Sequence, residues 1–159
     1  MKRRIAFLTM ALICSFVFAA CSEDDAIAEN EELTVYSFSG EAEEFVLSEG
    51  VVVFDGNNEI YYGGNIKSKE GKLDDITSYT MNLYILTDGE KNILLSNSVV
   101  DETGGTISID GEVGSISGDI LLKDRFEKDD KLCFELETTE SDGEKHICEI
   151  MPDVVEITK

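Results

Sequence analysis

The chain has 159 residues, with 34 Asp or Glu against 13 Lys or Arg, a formal charge of −21, a single histidine and no tryptophan. Such a charge repels phosphate backbones and excludes direct nucleic-acid binding, and one histidine cannot build a His-rich metal centre. The length fits one domain with a real hydrophobic core.

The first predicted element is not part of that core. Lys2, Arg3 and Arg4 precede an apolar run over residues 5–17, broken only by Thr9 and Ser15, and Phe18-Ala19-Ala20-Cys21 closes the segment. A positive start, a short apolar stretch and small residues before a cut are the pattern of a secretory signal. A membrane-spanning helix needs roughly 20 consecutive apolar residues. This run is shorter and meets Ser22-Glu23-Asp24-Asp25 directly after the cysteine.

Phe18-Ala19-Ala20-Cys21 resembles the lipobox of bacterial lipoproteins, in which the cysteine thiol takes a diacylglycerol and cleavage then makes that cysteine the first residue. Ala19, Ala20 and Cys21 match the family pattern, and Phe18 stands where the family usually has leucine or another aliphatic. The resemblance implies a signal peptide over residues 1–20, with Phe18, Ala19 and Ala20 read by the signal peptidase. It also implies a lipidated Cys21 and a domain anchored on the extracytoplasmic face of a bacterial cell membrane. Two or more acyl chains exceed the single chain that gives only marginal membrane binding. Loss of residues 1–20 removes Lys2, Arg3 and Arg4 and no acid, so 139 residues remain and the charge of −21 becomes −24. A chain so acidic avoids anionic headgroups, and its contact with the membrane runs through the lipid. Residues 22–32, SEDDAIAENEE, hold six acids and no aromatic, as expected of a flexible tether. Ser22-Glu23-Asp24-Asp25 also resembles the serine-plus-acidic tag that some Gram-negative bacteria use to send lipoproteins to the cell surface.

From Leu33 onward the pattern is β. Apolar and β-branched runs recur at 33–38, 45–47, 51–54, 59–62, 79–86, 93–100, 106–109, 120–122, 132–138, 145–151 and 154–157. Four Asp-Gly pairs, at Asp55, Asp88, Asp110 and Asp142, fall between such runs, and Asp-Gly between alternating segments is a strong hairpin signal. No stretch sustains a 3.6-residue apolar period long enough for a full helix, and residues 123–131 predict one helical turn or a charged loop. Short strands with frequent turns point to a single all-β domain over residues 33–159. The expected architecture is an antiparallel β-sandwich, immunoglobulin-like by strand count, with a small β-barrel as the alternative.

Two hairpins can be read in register. A three-residue loop Thr87-Asp88-Gly89 pairs Leu86 with Glu90, Leu83 with Ile93 and Met81 with Leu95, and sets Tyr79, Met81, Leu83 and Ile85 on one face. A loop Ser141-Asp142-Gly143 pairs Glu140 with Glu144, Leu136 with Cys148 and Phe134 with Ile150. Cys133 and Cys148 are the cysteines left once Cys14 departs with the signal and Cys21 is acylated, and an extracytoplasmic location favours a disulfide between them. The register opposes it, because Cys133 falls on the other face of its strand from Leu136. A bond would require a bulge.

Candidate chemistry is sparse. His146 sits near the buried face at a strand end, with no nucleophile spacing beside it. Gly114-Ser115-Ile116-Ser117-Gly118 has Ile116 where a nucleophile elbow needs serine, and its glycines read as bends in a strand pair. Asp55-Gly56-Asn57-Asn58-Glu59 begins like a calcium loop but has Ile60 where an EF-hand needs glycine, so a hairpin turn is expected. Asp101-Glu102 and Asp129-Asp130 join a calcium site only if the fold brings them to another acidic loop. Tyr61-Tyr62 and Gly63-Gly64 form an aromatic strand end. These observations lead to a non-catalytic binding or interaction module of the cell envelope, with an envelope protein or extracellular ligand as partner and with no cofactor or metal. A carboxylate- or calcium-dependent hydrolase and a purely structural envelope protein are the alternatives. Intact-mass spectrometry of the chain from its native host is expected to show residue 21 as the N-terminus carrying acyl mass, and Cys21→Ser to retain the full signal and lose the lipid.

Overall fold

The computed structural model describes residues 33–55, 58–118 and 131–158. They form eleven strands: β1 (Thr34–Glu41), β2 (Phe45–Asp55), β3 (Asn58–Tyr62), β4 (Asn65–Ser68), β5 (Ile76–Thr87), β6 (Glu90–Val100), β7 (Gly111–Glu112), β8 (Ser115–Gly118), β9 (Lys131–Glu140), β10 (Lys145–Ile150) and β11 (Asp153–Glu156). Sheet A runs β11-β1-β2-β3-β8, with β4 paired to β2 and β7 to β4, and sheet B runs β10-β9-β5-β6. All pairings are antiparallel, and neither sheet closes on itself. The domain is a β-sandwich, not a barrel.

Strand alternation supplies the core. Phe38, Phe45, Leu47, Val52, Phe54, Tyr61 and Ile66 from sheet A meet Met81, Leu83, Ile85, Leu132, Phe134 and Leu136 from sheet B, all at most 6 % exposed. The Phe45 and Phe134 rings pack edge-on at 5.6 Å across the two sheets, the preferred geometry for an aromatic pair.

Sheet A bends along one line that crosses four of its strand tracks. β1 pairs Phe38 with Gly50 and then Gly40 with Leu47, a bulge. On its other edge β2 pairs β3 over Val51–Asp55 and β4 over Phe45–Ser48, so Gly63-Gly64 crosses opposite Glu49-Gly50. The next track breaks at the same level. Gly63 N donates to Gly114 O at 2.8 Å, and Val113 N donates to Gly64 O at 3.0 Å. Two glycines make the line feasible. A Cβ on Gly50 would overlap the Phe38 ring, and one on Gly64, whose φ is 78°, would overlap the Ser48 carbonyl oxygen.

The β9–β10 hairpin has the expected register, with Leu136 opposite Cys148 and Phe134 opposite Ile150, and Gly143 at φ 88° closes its loop. The β5–β6 hairpin differs. Asp88 and Gly89 have φ of 52° and 85°, a two-residue turn of the primed kind that suits the strand twist. Thr87 pairs with Glu90 and Tyr84 with Ile93, and a bulge then sets Leu83 opposite Leu95 and Met81 opposite Asn97, in place of the expected Ile93 and Leu95. The bulge takes up Leu94 and leaves Ile93 outside at 61 % exposure.

Asp110-Gly111 is not a hairpin turn. Gly111 pairs with Ile66 in β4, and the Asp110 carboxylate accepts bonds from Ser68 N at 2.7 Å and Ser68 Oγ at 2.8 Å. Asp55 pairs with Asn58, as a hairpin at that point requires. The expected strand at 106–109 has no ladder, although Ile109 is buried and Ile107 N bonds Ile76 O at 2.8 Å. The expectations for 120–122, for 123–130 and for Asp129-Asp130 lie outside the described residues.

Gly64→Ala is expected to lower stability by about 2–4 kcal/mol, combining left-handed strain with overpacking. Gly89→Ala, at a turn with open space around it, should cost about 1 kcal/mol. Urea unfolding midpoints of the two variants check the difference.

Candidate functional site

The outer faces of the two sheets differ in how their polar groups are used. On sheet B the polar side chains satisfy one another. Thr80 and Ser98 share a hydrogen bond at 2.9 Å, Ser96 Oγ donates to Asn82 Oδ1 at 2.8 Å, and Asn82 Nδ2 donates to Glu135 Oε1 at 3.2 Å. Lys91 Nζ lies 2.6 Å from Glu135 Oε2 and 4.5 Å from the centroid of the Tyr84 ring. The hydrogen bond from Lys91 holds the Glu135 carboxyl below its ordinary value. Burial, and then a hydrogen bond to Glu149, push the Tyr84 phenol up. Lys145 Nζ pairs with Glu137 Oε1 at 3.1 Å. These polar groups are partnered, and Ile93, Val100 and Ile147 stand exposed among them, opposite Tyr84, Ser78 and Glu137.

On sheet A the register aligns apolar and small side chains instead. Val35 lies opposite Val53, and Val53 opposite Ile60, which faces Ser117. Ile157 flanks this row, its N–H bonded to Val35 O at 2.8 Å. The adjacent row is Val155, Ser37, Val51, Tyr62 and Ser115. No residue in either row carries a charge. Ile60, Val155 and Ile157 are 44 %, 57 % and 58 % exposed. Asp55 and Asp153, both exposed, stand two residues beyond Val53 and Val155 on the same face and give the patch an acidic rim. The interior of this patch has the charge depletion of an interface core.

Cys133 and Cys148 are both free thiols, so the disulfide that the compartment would permit is not formed. Cys133 pairs with Tyr84 on the outer side of sheet B, and Cys148 pairs with Leu136 on the inner side. Opposite faces of neighbouring strands cannot be bridged. Burial and the Glu149 charge raise the Cys133 thiol. Cys148 Sγ lies 3.2 Å from Glu44 Oε2; burial and that carboxylate push its thiol up to about 11, the reverse of an activated nucleophile.

His146 is opposite Thr138 at the end of β10, with Nε2 3.5 Å from Glu140 Oε1 and 4.0 Å from Glu144 Oε2. The Asp101 carboxylate is taken up by its own loop, accepting bonds from Thr103 N at 3.0 Å, from Thr103 Oγ1 at 2.6 Å and from Gly105 N. These bonds hold it below the usual carboxylate range, as those from Ser68 do Asp110. Asp101 and Asp110 therefore act as loop staples. Among the described residues, no group of three or more His, Cys, Asp or Glu could hold a metal ion. Phe18, Ala19, Ala20 and Cys21 lie outside the described residues. No protein-family model, curated protein sequence or solved structure matches the chain.

The outward patch left one trace in the sequence. Val51-Val52-Val53-Phe54 is apolar without alternation, as expected of a strand covered on both faces. Which strands join it could not be known without the register.

Iodoacetamide at pH 8 should modify Cys148 about a hundredfold more slowly than an unstructured cysteine, because the raised pKa leaves little thiolate. The rate should climb until pH passes about 11. Glu44→Gln should lower that pKa and quicken the reaction, which peptide-resolved mass spectrometry of the alkylated chain measures.

Proposed function

We propose that the chain is a lipid-anchored, extracytoplasmic binding module of the bacterial envelope, without catalytic activity, and that a protein partner seats on the outer face of sheet A. The observation that carries this reading is the uncharged patch of Val35, Val51, Val53, Ile60, Tyr62, Val155 and Ile157 on a chain of formal charge −21. An acidic rim of Asp55 and Asp153 selects a partner that is apolar at its centre and basic around it. A second copy of this chain would set acidic rim against acidic rim, and an anionic membrane surface would be repelled in the same way. Acylation at Cys21 would hold the domain at the membrane, with residues 22–32 as spacer, where only envelope and extracellular proteins can reach it.

The non-catalytic part of the reading is supported by the state of the titratable groups. The one histidine faces two carboxylates at a strand end, the inner thiol is deactivated, and Asp101 and Asp110 are committed to loops.

Ile60→Glu and Val155→Glu, both on exposed outward positions, should leave the unfolding midpoint within about 0.5 kcal/mol of the parent. Each should reduce cross-linking to a defined envelope protein in intact cells by about tenfold or more, whereas Ser98→Glu on sheet B should not. The captured protein should bind more weakly as salt rises. Equal capture by all variants, or no specific partner at all, would overturn the proposal.

A further inference from the structure

Sheet B ends laterally on β6 and β10, and the main path of sheet A ends on β11 and β8. An open strand edge is a template for pairing with another chain, and most edges carry a device that prevents it. β10 carries Lys145 and Glu149. β11 is four residues long, follows Pro152 and holds Asp153 and Glu156, and β8 is four residues long and ends in Gly118. β6 is eleven residues long. Glu90, Lys91 and the bulge at Leu94 guard its first half. Its second half, Leu95-Ser96-Asn97-Ser98-Val99-Val100, has no charge, proline, glycine or bulge, in a chain of which 30 % is charged.

The hydrogen-bond pattern fixes which groups that edge presents. Asp101 N donates to Thr77 O at 2.9 Å, and alternate residues of an antiparallel strand bond the same neighbour. Leu95, Asn97 and Val99 therefore bond β5, opposite Leu83, Met81 and Tyr79. Ser96, Ser98 and Val100 turn their N–H and C=O groups away from it. Among the described residues no strand pairs with those groups. Their side chains are exposed on the outer face, where Thr80 and Ser98 share a hydrogen bond.

We propose that this edge pairs antiparallel with the same edge of a second copy of the chain, about a two-fold axis through Ser98. Ser98 then faces Ser98 of the second copy, and Ser96 faces its Val100, with about six main-chain hydrogen bonds formed. The segment is self-complementary in this register because it brings no charged side chain against its own kind. Asp101, the next residue, has its carboxylate bonded into its own loop. An axis at Asn97 would draw the Leu94 bulge into the ladder, and one at Val99 would set Glu102 against Ser96. Repulsion between the two acidic chains is long-ranged, and salt screens it. The pairing uses the edge of sheet B and leaves the outer face of sheet A open, so this inference and the proposed function fail separately.

The test is oxidative cross-linking and sedimentation of the full chain in detergent. Ser98→Cys should form a covalent dimer about tenfold or more faster than Ser96→Cys or Val100→Cys alone. Those two variants, mixed, should cross-link to each other, since only facing positions reach the separation that a disulfide needs. Ser98→Pro removes an N–H that β5 does not use, and Ser98→Glu sets like charges opposite one another. Both should sediment as monomers while keeping the cooperative unfolding of the parent. Raising salt should tighten the parent dimer, the reverse of its effect on a basic partner at sheet A. A parent that is monomeric at every concentration, equal cross-linking at positions 96, 98 and 100, or a dimer that survives both Ser98→Pro and Ser98→Glu would overturn the proposal.

Discussion

The bend across sheet A is the constraint on which the rest of the domain rests. β2 is eleven residues long, and as a regular strand it could not serve both the partners at its start and those at its end. The bulge opposite Phe38, the left-handed residue at Glu49 and the glycine crossings at Gly50 and Gly64 divide it. One half carries Phe45 and Leu47 down onto sheet B, where Phe45 meets Phe134. The other half carries Val52 and Phe54 into the core and leaves Val51 and Val53 on the outside. Phe38 fills the space that a side chain on Gly50 would need, so the bend and the core are a single packing arrangement.

From that division come two surfaces of different character. Sheet B faces outward with hydroxyls, amides and carboxylates that hydrogen-bond along the ladder, with Lys91 and Lys145 paired to acids and with Ile93, Val100 and Ile147 exposed between them. Sheet A faces outward with valine, isoleucine and serine, and its acids lie at the margin. For a chain with so many carboxylates this separation is informative, because random placement would have scattered charge over both sheets. A cleft adds a third environment, where the β1–β2 turn and the β4–β5 loop approach the inner edge of sheet B and bring Glu44 to Cys148.

The acids have several jobs that composition cannot distinguish. Asp101 and Asp110 close loops, Glu135 and Glu137 pair with lysines across sheet B, Glu44 holds a thiol in its protonated form, and Asp55 and Asp153 border the apolar patch. Only the last group bears on partner choice under the proposed function. A count of carboxylates suggests cation binding everywhere, and the structure assigns Asp101, Asp110, Glu135, Glu137 and Glu44 to local structural work.

Much of the architecture was legible in the residues. Two-residue alternation, frequent Asp-Gly turns and the absence of a helical period depend on neighbours within a few positions, so the all-β class could be read directly, and a three-residue loop at Ser141-Asp142-Gly143 gave the β9–β10 register. The opposite facing of Cys133 and Cys148 followed from the three-residue loop register and strand parity together. The β5–β6 register could not be read, because Asp-Gly serves both a two-residue turn and a three-residue loop, and the bulge at Leu94 is resolved only by packing Leu83 and Leu95 into the core. Asp110-Gly111 looked like a hairpin because sequence shows the turn chemistry and not the partner, which is Ser68, forty-two positions away. The patch and the cleft belong wholly to tertiary structure. Val35, Ile60 and Val155 become neighbours only when β11, β1, β2 and β3 align, and Glu44 reaches Cys148 across 104 positions. Local chemistry fixes which way a side chain points from its strand; only chain-distant pairing decides what it points beside.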